Sequence, residues 1–333
     1  ENQPLFYTFE PTLYCNLNCN FCYEKNLRKK ERKKERKKEM SLEKIRLAFN
    51  TLKLNDQVIN LTGGEIFARE DIFEILDYLK ERNAFSYIVT NGTLFEEKLA
   101  DNLLKYNIRG IEFSLDGPED VHNQIRNSKE VFGRLIKAIE LTKDKFRISM
   151  NCVIQERNID FLTDIVLIAH NLKIKELNFQ LEVFTTSETL EDTRQILGWD
   201  NLTVSLQGKP NPGYNFPIEI LEKKWNEVKK IGKRLGMDIN IYPSLFDKYI
   251  RSCAQRRLRN SNLRLMCSEL LTGRIDPYGN VIPCYIIRKS FGNLLASSFE
   301  QIWNSPDFRG FRYKMAKNNL LPICENCCKL GLI

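Results

Sequence analysis

The chain has 333 residues, 42% of them hydrophobic, and sets 51 Lys and Arg against 43 Asp and Glu. That length and apolar content support a sizeable core and more than one domain, which excludes a small disulfide-stapled framework, and no apolar run is long enough to span a membrane. The net charge of +8 does not describe a nucleic-acid surface, because Arg28–Glu39 (RKKERKKERKKE) alone holds nine basic and three acidic residues and leaves about +2 for the rest.

In chain order, the first predicted strand is Leu5–Thr12. A polar loop follows, YCNLNCNFCYEKN, with Cys15, Cys19 and Cys22 inside eight residues. The charge run after it stacks like charges at i,i+4 and pairs opposite ones at i,i+3, which reads as a solvated arm. A docking strip for an acidic partner is the sharper alternative. Further strands are predicted at Gln57–Thr62, Ser86–Thr90, Gly110–Leu115, Phe146–Ile154 and Glu176–Leu181. Between them Ile72, Ile75, Leu76 and Leu79, and again Phe132, Leu135, Ile136 and Ile139, follow helical spacing. Alternating strands and helices predict a parallel sheet with right-handed crossovers. Six such units are fewer than the eight of a closed barrel.

The strand ends carry the unusual residues. The cysteine loop follows the first strand, Gly63-Gly64-Glu65 the second and Asn91-Gly92 the third. SLDGP (Ser114–Pro118) overlaps the end of the fourth, and Asn151–Val153 lie near the end of the fifth. In a parallel α/β array these ends share one rim, where active sites form. Singly, the glycine pairs also fit plain turns, and Glu65 also fits a helix-start carboxylate.

Three thiols in a polar loop are not core-like, and structural zinc wants four closed ligands. They suit an iron–sulfur cluster with one iron left open. C-x3-C-x2-C, with Phe21 before the last cysteine and Tyr23 after it, resembles the cluster motif of the radical S-adenosylmethionine (SAM) enzymes. SLDGPEDVHNQIR (Ser114–Arg126) resembles a stretch of the anaerobic sulfatase-maturing enzymes and their peptide-modifying relatives. The resemblance implies a [4Fe-4S] cluster on Cys15, Cys19 and Cys22 whose open iron takes SAM. It implies that Gly63, Gly64 and Glu65 receive the amino group of SAM and that Ser114 and Arg126 bind its carboxylate. Asn91 belongs to the same site, and Tyr23 and Val153 flank the adenine. His122 is an orienting imidazole in this reading rather than a base.

Beyond residue 183 the composition changes. A breaker-rich loop, GKPNPGYNFP, precedes a predicted helix, Ile218–Leu235. Then come Cys253, Cys267, Cys284, Cys324, Cys327 and Cys328, with a hairpin signature in RIDPYGNVIPC. By spacing alone, four of these thiols suit zinc as well as iron. The hairpin, Gly292-Asn293 and QIWNSPDFRGFR resemble the SPASM extension or its shorter twitch form. That resemblance implies one auxiliary [4Fe-4S] cluster on Cys267, Cys284, Cys324 and Cys327, with Cys328 the competing ligand for the last place. Cys152, Cys253 and Cys328 are left over. Cys253, near the join of the two parts, is the candidate hydrogen-atom donor.

The expected architecture is therefore α/β: a partial (β/α)6 TIM barrel over 1–183 with a basic arm at 28–39, a connecting segment over 184–245, and a cysteine-rich twitch/SPASM-like domain over 246–333. The expected function is reductive cleavage of SAM to a 5′-deoxyadenosyl radical that abstracts hydrogen from a peptide, in ribosomal peptide maturation by epimerisation, cross-linking or oxidation. The first strand begins so early that no leader-binding domain is expected ahead of it. An electron donor such as flavodoxin or ferredoxin, a cytoplasmic setting, and no membrane or nucleic-acid partner complete the reading. The alternatives are a radical SAM dehydrogenase of a small molecule and, from another class, a metal-binding protein associated with nucleic acid.

Overall fold

The computed structural model describes residues 3–25, 27, 38–205, 218–254, 258, 262–325 and 327–332. Residues 28–37 of the basic arm and the breaker-rich loop 208–217 lie outside the described residues.

β1 (Phe6–Thr12) runs into the cysteine loop, and α1 (Leu42–Phe49) brings the chain back to β2 (Val58–Gly63). Ser41 starts α1 by accepting the Lys44 N–H, one of the donors a helix start leaves without a partner. α2 (Ile72–Glu81) turns Ile72, Ile75, Leu76 and Leu79 inward, as their spacing predicts, and leads to β3 (Phe85–Thr90). After α3 (Glu97–Leu103) comes β4 (Ile108–Ser114), followed by two helices, α4 (Glu119–Arg126) and α5 (Val131–Thr142). Asn127, at φ 55°, closes α4 in the left-handed region that Asn tolerates. β5 (Ile148–Ile154), α6 (Leu162–Asn171) and β6 (Glu176–Leu181) complete six strands, close to the predicted ranges.

The segment expected to be only a connection does more. It holds α7 (Ser187–Leu197), α8 (Ile218–Leu235) and β7 (Asp238–Tyr242), and β7 joins β6 in parallel as a seventh consecutive strand. Its five residues alternate polar and apolar and only Ile241 is buried, so it buries less than any of the first six strands. The last part comprises α9 (Phe246–Ala254), β8 (Leu265–Cys267), β9 (Thr272–Ile275), β10 (Val281–Ile282), α10 (Phe299–Trp303), α11 (Pro306–Lys317) and β11 (Leu330–Leu332).

The sheet order is β10-β9-β1-β2-β3-β4-β5-β6-β7, with β8 and β11 forming a separate pair. β9 and β10 are the predicted hairpin, antiparallel around a turn in which Gly279 takes φ +84°. β9 then lies parallel to β1, Phe6 opposite Thr272 through Phe9 opposite Ile275. The C-terminal part is thereby hydrogen-bonded into the sheet of the partial barrel. Phe9, Leu61, Ile88, Phe113, Met150 and Phe179 from successive strands are fully buried. Each such side chain stabilises the fold by about 1.5–3 kcal/mol, and together they hold the strand ends in fixed relation.

Candidate active site

The end of β2 is locked to the cysteine loop by backbone contacts that only glycine allows. Gly64 N–H donates to Thr12 O at 2.9 Å, and Glu65 N–H to Tyr14 O at 2.7 Å. A Cβ on Gly64 would stand 1.9 Å from Tyr14 O, and one on Gly63, at φ +113°, 2.6 Å from Thr12 O. The Thr12 hydroxyl caps the turn, accepting from Tyr14 N–H at 3.0 Å and donating to Glu39 at 2.7 Å.

Two thiols of this loop, Cys15 and Cys19, meet donors. Leu17 N–H lies 3.4 Å and Asn91 Nδ2 3.7 Å from Cys15 Sγ, and Arg126 Nη1 lies 4.0 Å from Cys19 Sγ. Donors of this kind are the partners that cluster sulfurs take. Cys15, Cys19 and Cys22 line one cavity of about 250 Å³ together with Tyr23, Gly63, Gly64, Asn91, Ser114, Arg126 and Val153. Seven other expected residues thus share a single wall with the cysteines, at the ends of β1 to β5.

Asp116 organises that wall, and sequence reading assigned it no role. It is fully buried; its Oδ2 accepts from Arg126 Nε at 2.6 Å and its Oδ1 from Val153 N–H at 3.1 Å. Its own N–H donates to His122 Nδ1 at 3.1 Å. Burial opposes the charge on Arg126, yet Asp116 and the Cys19 sulfur hold its guanidinium protonated, and the ring of Phe21 lies 5.2 Å beneath it. Burial drives His122 the other way, down to about 4. His122 is therefore a neutral, orienting imidazole at ordinary pH. The signal for Asp116 was its place inside Ser-Leu-Asp-Gly-Pro, between two assigned residues.

Two expected residues are not on the wall. The Glu65 carboxylate lies beneath it, accepting from Thr90 Oγ1 and Asn91 N–H at 2.8 Å each and from Phe67 N–H at 3.2 Å. It shapes the ends of β2 and β3 from below. Cys253 sits on α9 in the apolar core, 3% exposed, where burial pushes its thiol up to about 12. The leftover thiol that does line the cavity is Cys328, together with Glu112, Gln180, Arg274, Tyr285 and Lys329. Burial raises the Glu112 carboxyl, against the Asn178 amide that donates to it at 2.9 Å and the charge of Lys329.

Cys267, Cys284, Cys324 and Cys327 line a second, small cavity with Leu270, Ile286, Phe311 and Met315. Burial pushes the Cys267 thiol well up and the Cys284 thiol up to about 11. Four thiolates in apolar surroundings are untenable without a compensating metal charge, so this donor set suits a buried cluster. Among the described residues no three His, Cys, Asp or Glu side chains gather as tightly as a single ion would require, and both thiol sets line spaces instead.

An ion network joins the two parts between these cavities. Glu10 on β1, fully buried, accepts from Arg274 at 2.8 Å and from Arg288 at 2.8 and 3.0 Å. Arg274 also grips Glu269 through two bonds of 2.9 and 3.2 Å. Burial would raise the Glu10 carboxyl, but the guanidinium groups of Arg288 and Arg274 together hold it below its ordinary value.

Comparison with known proteins agrees with this geometry. Residues 9–166 match the family model of the radical SAM superfamily, and residues 267–328 match SPASM, described as an iron-sulfur cluster-binding domain. An AdoMet-dependent heme synthase of Methanosarcina barkeri is 23% identical over 97% of this chain and 89% of its own length. The antilisterial bacteriocin subtilosin biosynthesis protein AlbA of Bacillus subtilis is 26% identical over 91% of this chain, which spans 60% of that protein. Crystal structures of Streptococcus suis SuiB, bound to S-adenosylmethionine or to precursor peptide SuiA, share the fold with TM-scores of 0.66 and 0.63 at 16% and 15% identity. They cover 97% and 98% of this chain and 70% and 71% of SuiB. Among the described residues no helix is long and apolar enough to cross a membrane. The two domains bring a [4Fe-4S] cluster and an auxiliary iron–sulfur cluster as cofactors. The chain is a radical SAM enzyme: it belongs to the radical SAM superfamily and carries an iron–sulfur cluster-binding SPASM domain on its C-terminal side.

Proposed function

We propose that the chain modifies a peptide, abstracting a hydrogen atom from a residue that enters the cavity between β1–β6 and the C-terminal domain. The observation that carries this reading is one cavity lined both by the three-cysteine loop and, opposite, by Arg274, Tyr285, Cys328 and Lys329. When bound, the cluster and SAM supply a 5′-deoxyadenosyl radical by one-electron cleavage. Cys15, Cys19 and Cys22 hold the cluster. Arg126, fixed by Asp116, and Ser114 take the carboxylate of SAM, the guanidinium offering the stronger, charge-assisted bond. Gly63 and Gly64 leave room for its amino group, while Glu65 holds the shape of that loop. Val153 and Tyr23, which line the same cavity, would flank the adenine of SAM.

Cys267, Cys284, Cys324 and Cys327 hold one auxiliary [4Fe-4S] cluster in this reading, because those four share a cavity while Cys328 faces the other. A low-potential donor, flavodoxin or ferredoxin, reduces the enzyme in the cytoplasm. The names of AlbA and of SuiB with SuiA support a ribosomal peptide as substrate. The heme synthase relative, which aligns along most of both chains, favours a second reading, oxidation of a small molecule. Reconstituted enzyme incubated anaerobically with candidate precursor peptides decides between them. A peptide that takes up deuterium from solvent at unchanged mass in ordinary water, or that loses two mass units, supports the proposal. Turnover confined to a porphyrin precursor overturns it.

A further inference from the structure

Two Cys-Tyr dipeptides, Cys22-Tyr23 and Cys284-Tyr285, lie far apart in sequence and meet in space. The rings pack edge to face, centroids 5.0 Å apart, and both line the active-site cavity. Each tyrosine directly follows a cysteine assigned to a different cluster. The Tyr285 ring is held from behind by Arg274, 5.7 Å from its centroid, which Glu10 and Glu269 in turn immobilise. Its hydroxyl is buried and stands 3.2 Å from Cys327 Sγ and 3.5 Å from Cys328 Sγ. A phenol has one proton to give and lone pairs to accept with. Against a ligating thiolate it donates, and it accepts from the thiol of Cys328 on the cavity side.

We propose that Tyr285 is a positioning residue that links the auxiliary cluster to the active-site cavity: its hydroxyl donates to the Cys327 thiolate and thereby raises that cluster's reduction potential. The inference rests on the proposed ligand set, in which Cys327 ligates and Cys328 does not. Hydrogen bonds to cluster sulfurs stabilise the reduced, more electron-rich state, and partners of this kind tune a metal site without touching the metal. Because the same hydroxyl accepts from Cys328, whatever occupies the cavity beside that thiol is transmitted to the cluster.

The test is a redox titration, followed by electron paramagnetic resonance, of the auxiliary cluster in full-length reconstituted protein. Cys15, Cys19 and Cys22 are replaced by Ala so that the other signal is absent. Tyr285→Phe should keep the iron of the auxiliary cluster and shift its one-electron equilibrium against reduction by about tenfold, which is about 59 mV. Difluorotyrosine placed at 285, a stronger donor, should move the potential the opposite way. Cys328→Ala should keep the iron. An unchanged potential in Tyr285→Phe with iron intact overturns the inference. If Tyr285→Phe loses iron, the difluorotyrosine protein decides, and the absence of an upward shift overturns the inference. If Cys328→Ala loses the auxiliary iron while Cys327→Ala keeps it, the ligand set fails instead, and with it the assigned role of the hydroxyl.

Discussion

Replacing Gly64 by alanine tests how the cluster loop is held. The new Cβ would lie 1.9 Å from Tyr14 O and 2.5 Å from Tyr14 C, and ordinary contact begins at 3.4 Å. These are backbone atoms with no rotamer to change, so the Tyr14 peptide must retreat. That retreat breaks the 2.7 Å bond from Glu65 N–H, a loss of about 1 kcal/mol. Overpacking of a tight site costs about 1–3 kcal/mol more. The strain falls next to Cys15, so it should be relieved by displacing the cysteine loop rather than by unfolding the sheet. Gly64→Ala should therefore keep the circular dichroism of the parent and the iron of the auxiliary site. It should lose most of the iron held by Cys15, Cys19 and Cys22 and most SAM cleavage. Iron assay after anaerobic reconstitution and deoxyadenosine release measure both. A Gly64→Ala protein that cleaves SAM like the parent would refute the reasoning.

Arg126→Ala should lower stability by about 3–5 kcal/mol, because Asp116 is then a buried, unpaired charge, and Arg126→Ala with Asp116→Asn should recover most of it; denaturant melts in which the double variant is no better than the single one would contradict this. Changing Cys267, Cys284 or Cys324 to Ala should leave about four irons per chain instead of about eight, with zinc in their place counting against the auxiliary cluster. His122, held down to about 4 against 6.5 in an unfolded chain, binds its proton more weakly when folded. Stability should thus fall as pH drops from about 6.5 to about 4, by about 3 kcal/mol, and His122→Asn should flatten that part of the profile; parallel slopes would remove His122 as the cause. If residues 28–39 recruit an acidic peptide, substrate affinity should weaken steeply with salt, and a neutral linker of equal length should abolish that dependence; equal turnover by both proteins at every salt concentration would leave the run a solvated arm.

The six predicted strands were legible because each carries several apolar residues that bury in the core, as Ile111 and Phe113 do on β4 and Ile148, Met150 and Ile154 on β5. β7 was not, since a short strand covered on one side needs few apolar residues. The cysteine tripod, the glycine pair and Ser114 with Arg126 stood out because their chemistry demands particular residues at strand ends. Glu65 shows the limit: a carboxylate at the right place in the chain carries no sign of which way it turns, and here it turns under the wall. Tyr285 and Lys329 were invisible for a different cause. They line one cavity with a cysteine loop more than 200 residues earlier in the chain, brought together by the β1–β9 pairing that no local pattern encodes.

That pairing also determines what happens to a shortened chain. β1 is an inner strand only because β9 occupies its free side from Phe6 to Phe9. Cutting the chain ahead of the C-terminal domain would uncover a row of backbone donors and acceptors, a template for another copy's strand. It would also leave Glu10 inside without either guanidinium. The cysteine-rich domain is thus no detachable module. Its removal is expected to yield a sticky, self-associating barrel, and grafting it onto another barrel would require carrying the β1 seam and its carboxylate along.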